Sequence, residues 1–141
     1  MDRSNTRVLL VDDFVPFLEW VYRLLQDTME IVARASDGLE AVQIAEALQP
    51  DLILLDIGLP KLNGIEAARR IGNVAPNSKI LFVSMESSPD VVQEAIRVGA
   101  LGYVAKGKAA TELLKAIELV LQGKQFVSPS LSGGDPTDEG G

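Results

Sequence analysis

The chain has 141 residues, 47% of them hydrophobic and 23% charged, which is the composition of one globular domain with a single core. Its formal net charge of −7 and pI near 4.5 give a field that repels nucleic acid and anionic membranes, so no direct nucleic-acid binding and no membrane association are expected of it. With no cysteine and no histidine there is no thiol nucleophile, Ser-His-Asp triad, histidine-ligated zinc or phosphohistidine, and any chemistry runs on carboxylates, hydroxyls, lysines and backbone.

Residues 1–6 form a polar lead into an apolar run too short for a signal-peptide core and cleavage site, and no apolar stretch approaches the ~20 residues of a membrane span, so the cytoplasm is the expected location. A first apolar run, Val8-Leu9-Leu10-Val11, is strand-like and ends in Asp12-Asp13. Phe14, Leu18, Val21 and Leu25 then recur at helical spacing. A weaker run, Met29 to Ala33, reads as an edge strand, followed by a helix with Val42, Ala45 and Leu48 on one face. Leu52-Ile53-Leu54-Leu55 is the next strand, ending in Asp56, and a short helix opens near Gly64 with Ile65, Ala68 and Ile71. Ile80-Leu81-Phe82-Val83 runs into Ser84. Ser88-Pro89-Asp90 opens the next helix as cap, first-turn proline and dipole-favoured acid, and Gly99 closes it. Leu101 to Ala105 is the last expected strand, running into Lys106, and the helix through Leu113, Ile117 and Val120 stops at Gly123. One domain made of all these elements is expected over 7–124, with 125–141 a flexible tail or truncated linker rich in Ser, Pro and Gly.

Four of the strand runs are apolar without alternation, which marks strands covered on both faces, and strict strand-helix alternation points to a doubly wound α/β domain with a parallel sheet. In such a sheet all carboxyl ends lie on one edge, where ligands bind. Asp12, Asp13, Asp56, Ser84 and Lys106 are therefore expected in one crevice, although ~90 residues separate the first from the last.

Singly, each has a plain structural use. Asp12 or Asp13 reads as a helix cap, Asp56 as turn chemistry before Gly58-Leu59-Pro60, Ser84 as a solvated hydroxyl and Lys106 as a surface cation. Together they do not, because a fold gains nothing by grouping acids. Clustered carboxylates need a raised pKa or a cation. Mg²⁺ fits oxygen ligands that leave room for waters and a phosphate, and a carboxylate beside it, Asp56, is a candidate nucleophile toward phosphorus. Lys106 and the Ser84 hydroxyl would then face the charge spreading over the phosphoryl oxygens.

These residues carry a family resemblance. Leu10-Val11-Asp12-Asp13, Asp56 through Gly64, Val83-Ser84 and Gly102-Tyr103-Val104-Ala105-Lys106 together resemble the receiver domains of two-component response regulators, over roughly residues 7 to 122. The wording Gly-Tyr-Val-Ala-Lys and the later Phe126-Val127-Ser128-Pro129 are most similar to LuxR/NarL-type receivers, which precede a helix-turn-helix output domain. The resemblance implies a flavodoxin-like fold, a five-stranded parallel sheet of order 2-1-3-4-5 with helices on both faces. It implies Asp56 as phosphoacceptor, Lys106 and Ser84 as its catalytic companions, and Mg²⁺ held by the Asp13 and Asp56 side chains and the Gly58 carbonyl, with Asp12 acting partly through water. Ser84 and Tyr103 would be the switch pair. The implied partner is a sensor histidine kinase or phosphotransfer protein, with a homodimer through the receiver possible and transcription the regulated output. A stand-alone or phosphorylation-independent docking module is the alternative.

Two positions depart from the commonest pattern: Gly107 follows Lys106 where many receivers have proline, and Glu86 lies at the mouth of the site. A dehalogenase-like phosphatase would want an acid at Gly58, a flavodoxin a Ser/Thr-rich loop where Asp12-Asp13 stands, and a nucleotide-binding P-loop its Gly-rich lysine motif.

Overall fold

The computed structural model describes residues 3–131. Its elements alternate: β1 (Arg7–Val11), α1 (Val15–Leu25), β2 (Glu30–Ala35), α2 (Gly38–Leu48), β3 (Leu52–Leu55), α3 (Gly64–Val74), β4 (Lys79–Ser84), α4 (Pro89–Arg97), β5 (Gly102–Ala105), α5 (Ala109–Leu121) and β6 (Phe126–Val127). Every strand pair is parallel, in the order β2-β1-β3-β4-β5-β6. The sheet divides the core into two apolar layers. Val8 and Leu10 of β1 pack toward α1 and α5 with Leu18, Val21, Leu113 and Ile117, while Leu9 and Val11 pack toward α2, α3 and α4 with Ala41, Ala45, Ile71 and Ala95. Burial on both faces is why β1, β3, β4 and β5 read as unbroken apolar runs.

The expected count of five strands is corrected to six. Beyond β5 the backbone of an edge strand would present unpaired groups, and the chain leaving α5 turns at Gly123 (φ 83°) and covers them. Phe126 donates its N–H to the Leu101 carbonyl at 3.1 Å and Ser128 donates to the Tyr103 carbonyl at 2.9 Å. This strand lies in the stretch expected as a tail. Residues 132–141 of that stretch fall outside the described residues.

Helix ends depart in detail from the sequence reading. Phe14, counted with the core face of α1, is the extended N-cap residue and 58% exposed. Ser88 stands at the N-cap of α4 without a side-chain cap bond. Asp37 caps α2 and Asn63 caps α3, each accepting from the N–H three residues on. The buried residues of α2 are Gly38, Ala41 and Ala45, since α2 lies close against α3 and small side chains set that approach.

Candidate functional site

The carboxyl ends of β1, β3, β4 and β5 meet at one edge of the sheet, and the structure brings Asp12, Asp13 and Asp56 together there. One oxygen from each carboxylate lies within 4.8 Å of the others. Asp12 and Asp56 are buried and Asp13 is exposed. Register fixes the arrangement: Val11 is opposite Leu55, so Asp12 and Asp56 leave neighbouring strands side by side, and the Asp56 N–H donates to the Val11 carbonyl at 3.1 Å.

Lys106 follows β5 and opens a short 3₁₀ turn, Lys106–Lys108, on a trans peptide bond. Its ammonium lies 2.7 Å from Asp12 Oδ2 and 3.5 Å from Asp56 Oδ2, with the lysine side chain only 13% exposed. Asp12 Oδ1 accepts the Phe14 N–H at 2.9 Å, so this one carboxylate holds both the lysine and the entry to α1. Burial raises the Asp12 pKa above the ordinary carboxylate range. The bonds from Lys106 and the Phe14 N–H pull it down, and the neighbouring Asp56 charge pushes it up again.

Asp56 Oδ1 accepts the N–H of Ile57 at 2.7 Å. The loop that follows is tied down by its own backbone, Leu59 and Gly64 both donating to the Ile57 carbonyl at 2.8 Å. Gly64 must be glycine for a local reason, because a Cβ there would sit 2.0 Å from the Asp56 carbonyl oxygen. The start of α3 thus rests directly on the backbone of Asp56. Gly58 is exposed on this loop two residues beyond Asp56.

Ser84 ends β4, is 3% exposed, and its Oγ accepts the Glu86 N–H at 3.1 Å. Tyr103 on β5 is fully buried, with its ring tilted against Phe82 at 5.9 Å between centroids and its hydroxyl donating to the Glu86 carbonyl at 2.7 Å. Burial pushes the Tyr103 pKa up to about 12; the Ser84 hydrogen bond opposes this, and the charges of Glu86 and Asp56 reinforce it. The phenol is therefore a proton donor at any physiological pH. Ser84, the loop at Glu86 and Tyr103 form one hydrogen-bonded unit beside the carboxylates.

Two contacts escaped the sequence reading. The ring of Phe17, in the first turn of α1, lies under the Lys106 ammonium at 4.7 Å from its centroid. Ser128 is fully buried: its Oγ accepts the Ala105 N–H at 2.9 Å and donates to Glu112. The aromatic spacing Phe14-Phe17 beside an acidic pair is a signal for the first. A serine within a Ser-Pro-Ser-Leu-Ser run offers none for the second.

The donor set is all oxygen, three clustered carboxylates set against one ammonium, so charge remains uncompensated and the residues fit a hard divalent cation. Among the described residues no helix is long and apolar enough to cross a membrane.

Residues 8–118 match the family described as response regulator receiver domain. The chain is 34% identical over 134 residues to the transcriptional regulatory protein DegU of Brevibacillus brevis, covering 94% of this chain but 57% of that protein. Its fold matches a LuxR-family two-component response regulator from Aurantimonas sp. SI85-9A1 with a TM-score of 0.86 and 34% identity, over 92% of this chain and 94% of that one. It also matches the signal receiver domain of NarL from Mycobacterium tuberculosis with a TM-score of 0.80 and 30% identity, over 86% and 99% of the two chains. The chain belongs to the receiver domains of two-component response regulators, a family of signalling domains whose relatives here regulate transcription.

Proposed function

We propose that this chain accepts a phosphoryl group on Asp56 from a phosphohistidine on a separate sensor histidine kinase or phosphotransfer protein, there being no histidine in the chain itself. The observation that supports this most is the meeting of the Asp12, Asp13 and Asp56 carboxylates within 4.8 Å, with Lys106 bridging Asp12 and Asp56. Asp13, Asp56 and the Gly58 carbonyl would hold Mg²⁺, with Asp12 acting partly through water, since both of its oxygens are already engaged by Lys106 and Phe14. When bound, the cation neutralises negative charge at the phosphoryl oxygens.

The chain's own residues do the rest. The Asp56 carboxylate oxygen attacks phosphorus as the bond to the donor imidazole nitrogen breaks, and that nitrogen keeps the electron pair. Lys106 moves its ammonium from Asp12 toward a phosphoryl oxygen, and the Ser84 hydroxyl turns to donate to another. Because Ser84 Oγ now accepts the Glu86 N–H, and the Glu86 carbonyl accepts the Tyr103 hydroxyl, a turn of Ser84 changes the loop that Tyr103 holds. Phosphorylation shifts the population between two arrangements of this unit by the difference in its contacts with each. Slow hydrolysis of the acyl phosphate resets the domain.

The whole protein's output is proposed as transcriptional control from the cytoplasm, with a homodimer through the receiver as one route. Acetyl phosphate with Mg²⁺ should add one phosphoryl mass to the intact protein, and Asp56→Asn or chelation should abolish it. Folded protein that gains no mass from acetyl phosphate or a phosphorylated kinase would instead favour a phosphorylation-independent docking module.

A further inference from the structure

The backbone of Lys106 is set by its 3₁₀ turn, where its carbonyl accepts the Ala109 N–H, but this fixes only where the side chain begins. Gly107, which follows it, is exposed, and a Cβ built there meets nothing within 4 Å, so the next residue gives the lysine stem no wall to lie against. The four-carbon stem of a lysine is flexible and its ammonium is a strongly hydrated point charge, so a defined position demands contacts at the tip. Two of these are the carboxylates of Asp12 and Asp56. The third is the Phe17 ring at 4.7 Å, within the range in which an aromatic face attracts a cation.

The ring is itself held. Phe17 donates its N–H to the Phe14 carbonyl at 3.1 Å, and the Phe14 N–H is bound by Asp12 Oδ1. Its outer neighbour is Trp20, stacked at 5.8 Å between centroids and 29° between planes. Asp12 thus grips the ammonium with one oxygen and the turn that carries the aromatic ring with the other.

We propose that Phe17 is a positioning residue for Lys106, its ring face holding the ammonium over the carboxylates and letting it slide from Asp12 to a phosphoryl oxygen on Asp56. This rests on the phosphoacceptor reading above. The physical point is that a carboxylate bond to the ammonium is directional and must break for the lysine to change partner, whereas attraction to the ring face varies little over the same displacement. The ring also excludes water from one side of the ammonium, which strengthens its pull on the phosphoryl charge. Leucine at the same place would supply an apolar wall of similar bulk without the quadrupole.

The test uses the full chain and two variants, Phe17→Leu and Phe17→Tyr. In a proton–carbon NMR spectrum the Lys106 ε-methylene protons, lying over a ring face, are expected upfield of those of the other lysines. The displacement should vanish in Phe17→Leu and persist in Phe17→Tyr. With acetyl phosphate at saturating Mg²⁺, Phe17→Leu should form the phosphorylated protein about fivefold more slowly at an unchanged Mg²⁺ half-saturation, and Phe17→Tyr should return the rate to that of the parent. An undisplaced Lys106 signal in the parent chain overturns the proposal, as does a parental rate in Phe17→Leu. Equal slowing in both variants accompanied by a lower melting temperature means packing alone, and also overturns it. If the parent chain takes no phosphoryl group from any donor, the phosphoacceptor reading has failed, while the NMR comparison still decides what holds the lysine.

Discussion

Replacing Lys106 with methionine removes a cation from between two buried carboxylates while keeping most of the apolar stem. At an effective dielectric of ~20 the contacts of 2.7 Å and 3.5 Å are worth about 6 and about 5 kcal/mol before desolvation. Several kcal/mol of ammonium and carboxylate desolvation offset most of that, and deleting one partner of a buried pair leaves a net cost of about 3 kcal/mol. Urea unfolding at pH 7 in EDTA should show that loss.

The pH dependence follows from Asp12, whose pKa is already raised by burial even though Lys106 opposes the rise. Removing the lysine sends it higher still. As pH falls through the raised folded value toward the ordinary carboxylate value near ~3.9, the folded protein takes up a proton that the unfolded chain does not yet hold, so folding gains stability with acid. The gain is larger in the variant, and the gap between the two proteins should narrow as the pH falls from 7 toward the ordinary carboxylate value. Adding Mg²⁺ should narrow it as well, by restoring compensation from another source. A variant as stable as the parent at pH 7 in EDTA, or a gap that stays constant on acidification, would refute the electrostatic reading of this cluster.

Other expectations are narrower. Gly64→Ala forces a Cβ against the Asp56 carbonyl, so it should cost ~1–3 kcal/mol in unfolding experiments and slow phosphorylation by moving the acceptor backbone. Tyr103→Phe leaves the Glu86 carbonyl without its donor, for a loss of ~1 kcal/mol. In an absorbance titration of the parent chain, Tyr103 should resist ionisation until about pH 12, and Tyr103→Phe should remove that late step. Ser128→Ala strands the Ala105 N–H, and a destabilisation of ~1–3 kcal/mol with faster amide exchange at Ala105 is expected, against no change if the segment after α5 is only a loose tail.

The parts of the fold that could be read in advance are those whose burial is symmetrical. Leu52–Leu55 is apolar throughout because helices cover both sides, and its bounds agree with the sequence run. Phe126–Val127 is too short to carry a period, and both residues are half-buried, so nothing in that dipeptide distinguishes a strand from a linker. Phe14 fits the apolar spacing of α1 yet precedes its first turn, where the backbone is extended and the periodicity does not apply. In α2 the buried positions are the small ones, because the distance to α3 selects for lack of bulk rather than for hydropathy.

At the site, parallel topology alone was enough to send Asp12, Asp13, Asp56, Ser84 and Lys106 toward one edge. Which acid of the Asp12-Asp13 pair turns inward was not legible. That depends on Lys106 reaching across from β5, a contact between residues far apart in the chain. The Phe17 ring and the Ser128 hydroxyl share this character, since each matters through a partner that only the tertiary structure supplies.

The most direct measurement is paramagnetic broadening by Mn²⁺ in an amide NMR spectrum of the full chain, with Mg²⁺ added in competition. Broadening that centres on Asp13, Asp56 and Gly58 and recedes as Mg²⁺ displaces the probe is the predicted result. Signal loss spread over the acidic surface, or centred on any other group of residues and indifferent to Mg²⁺, would contradict a divalent-cation site at the meeting of the three carboxylates.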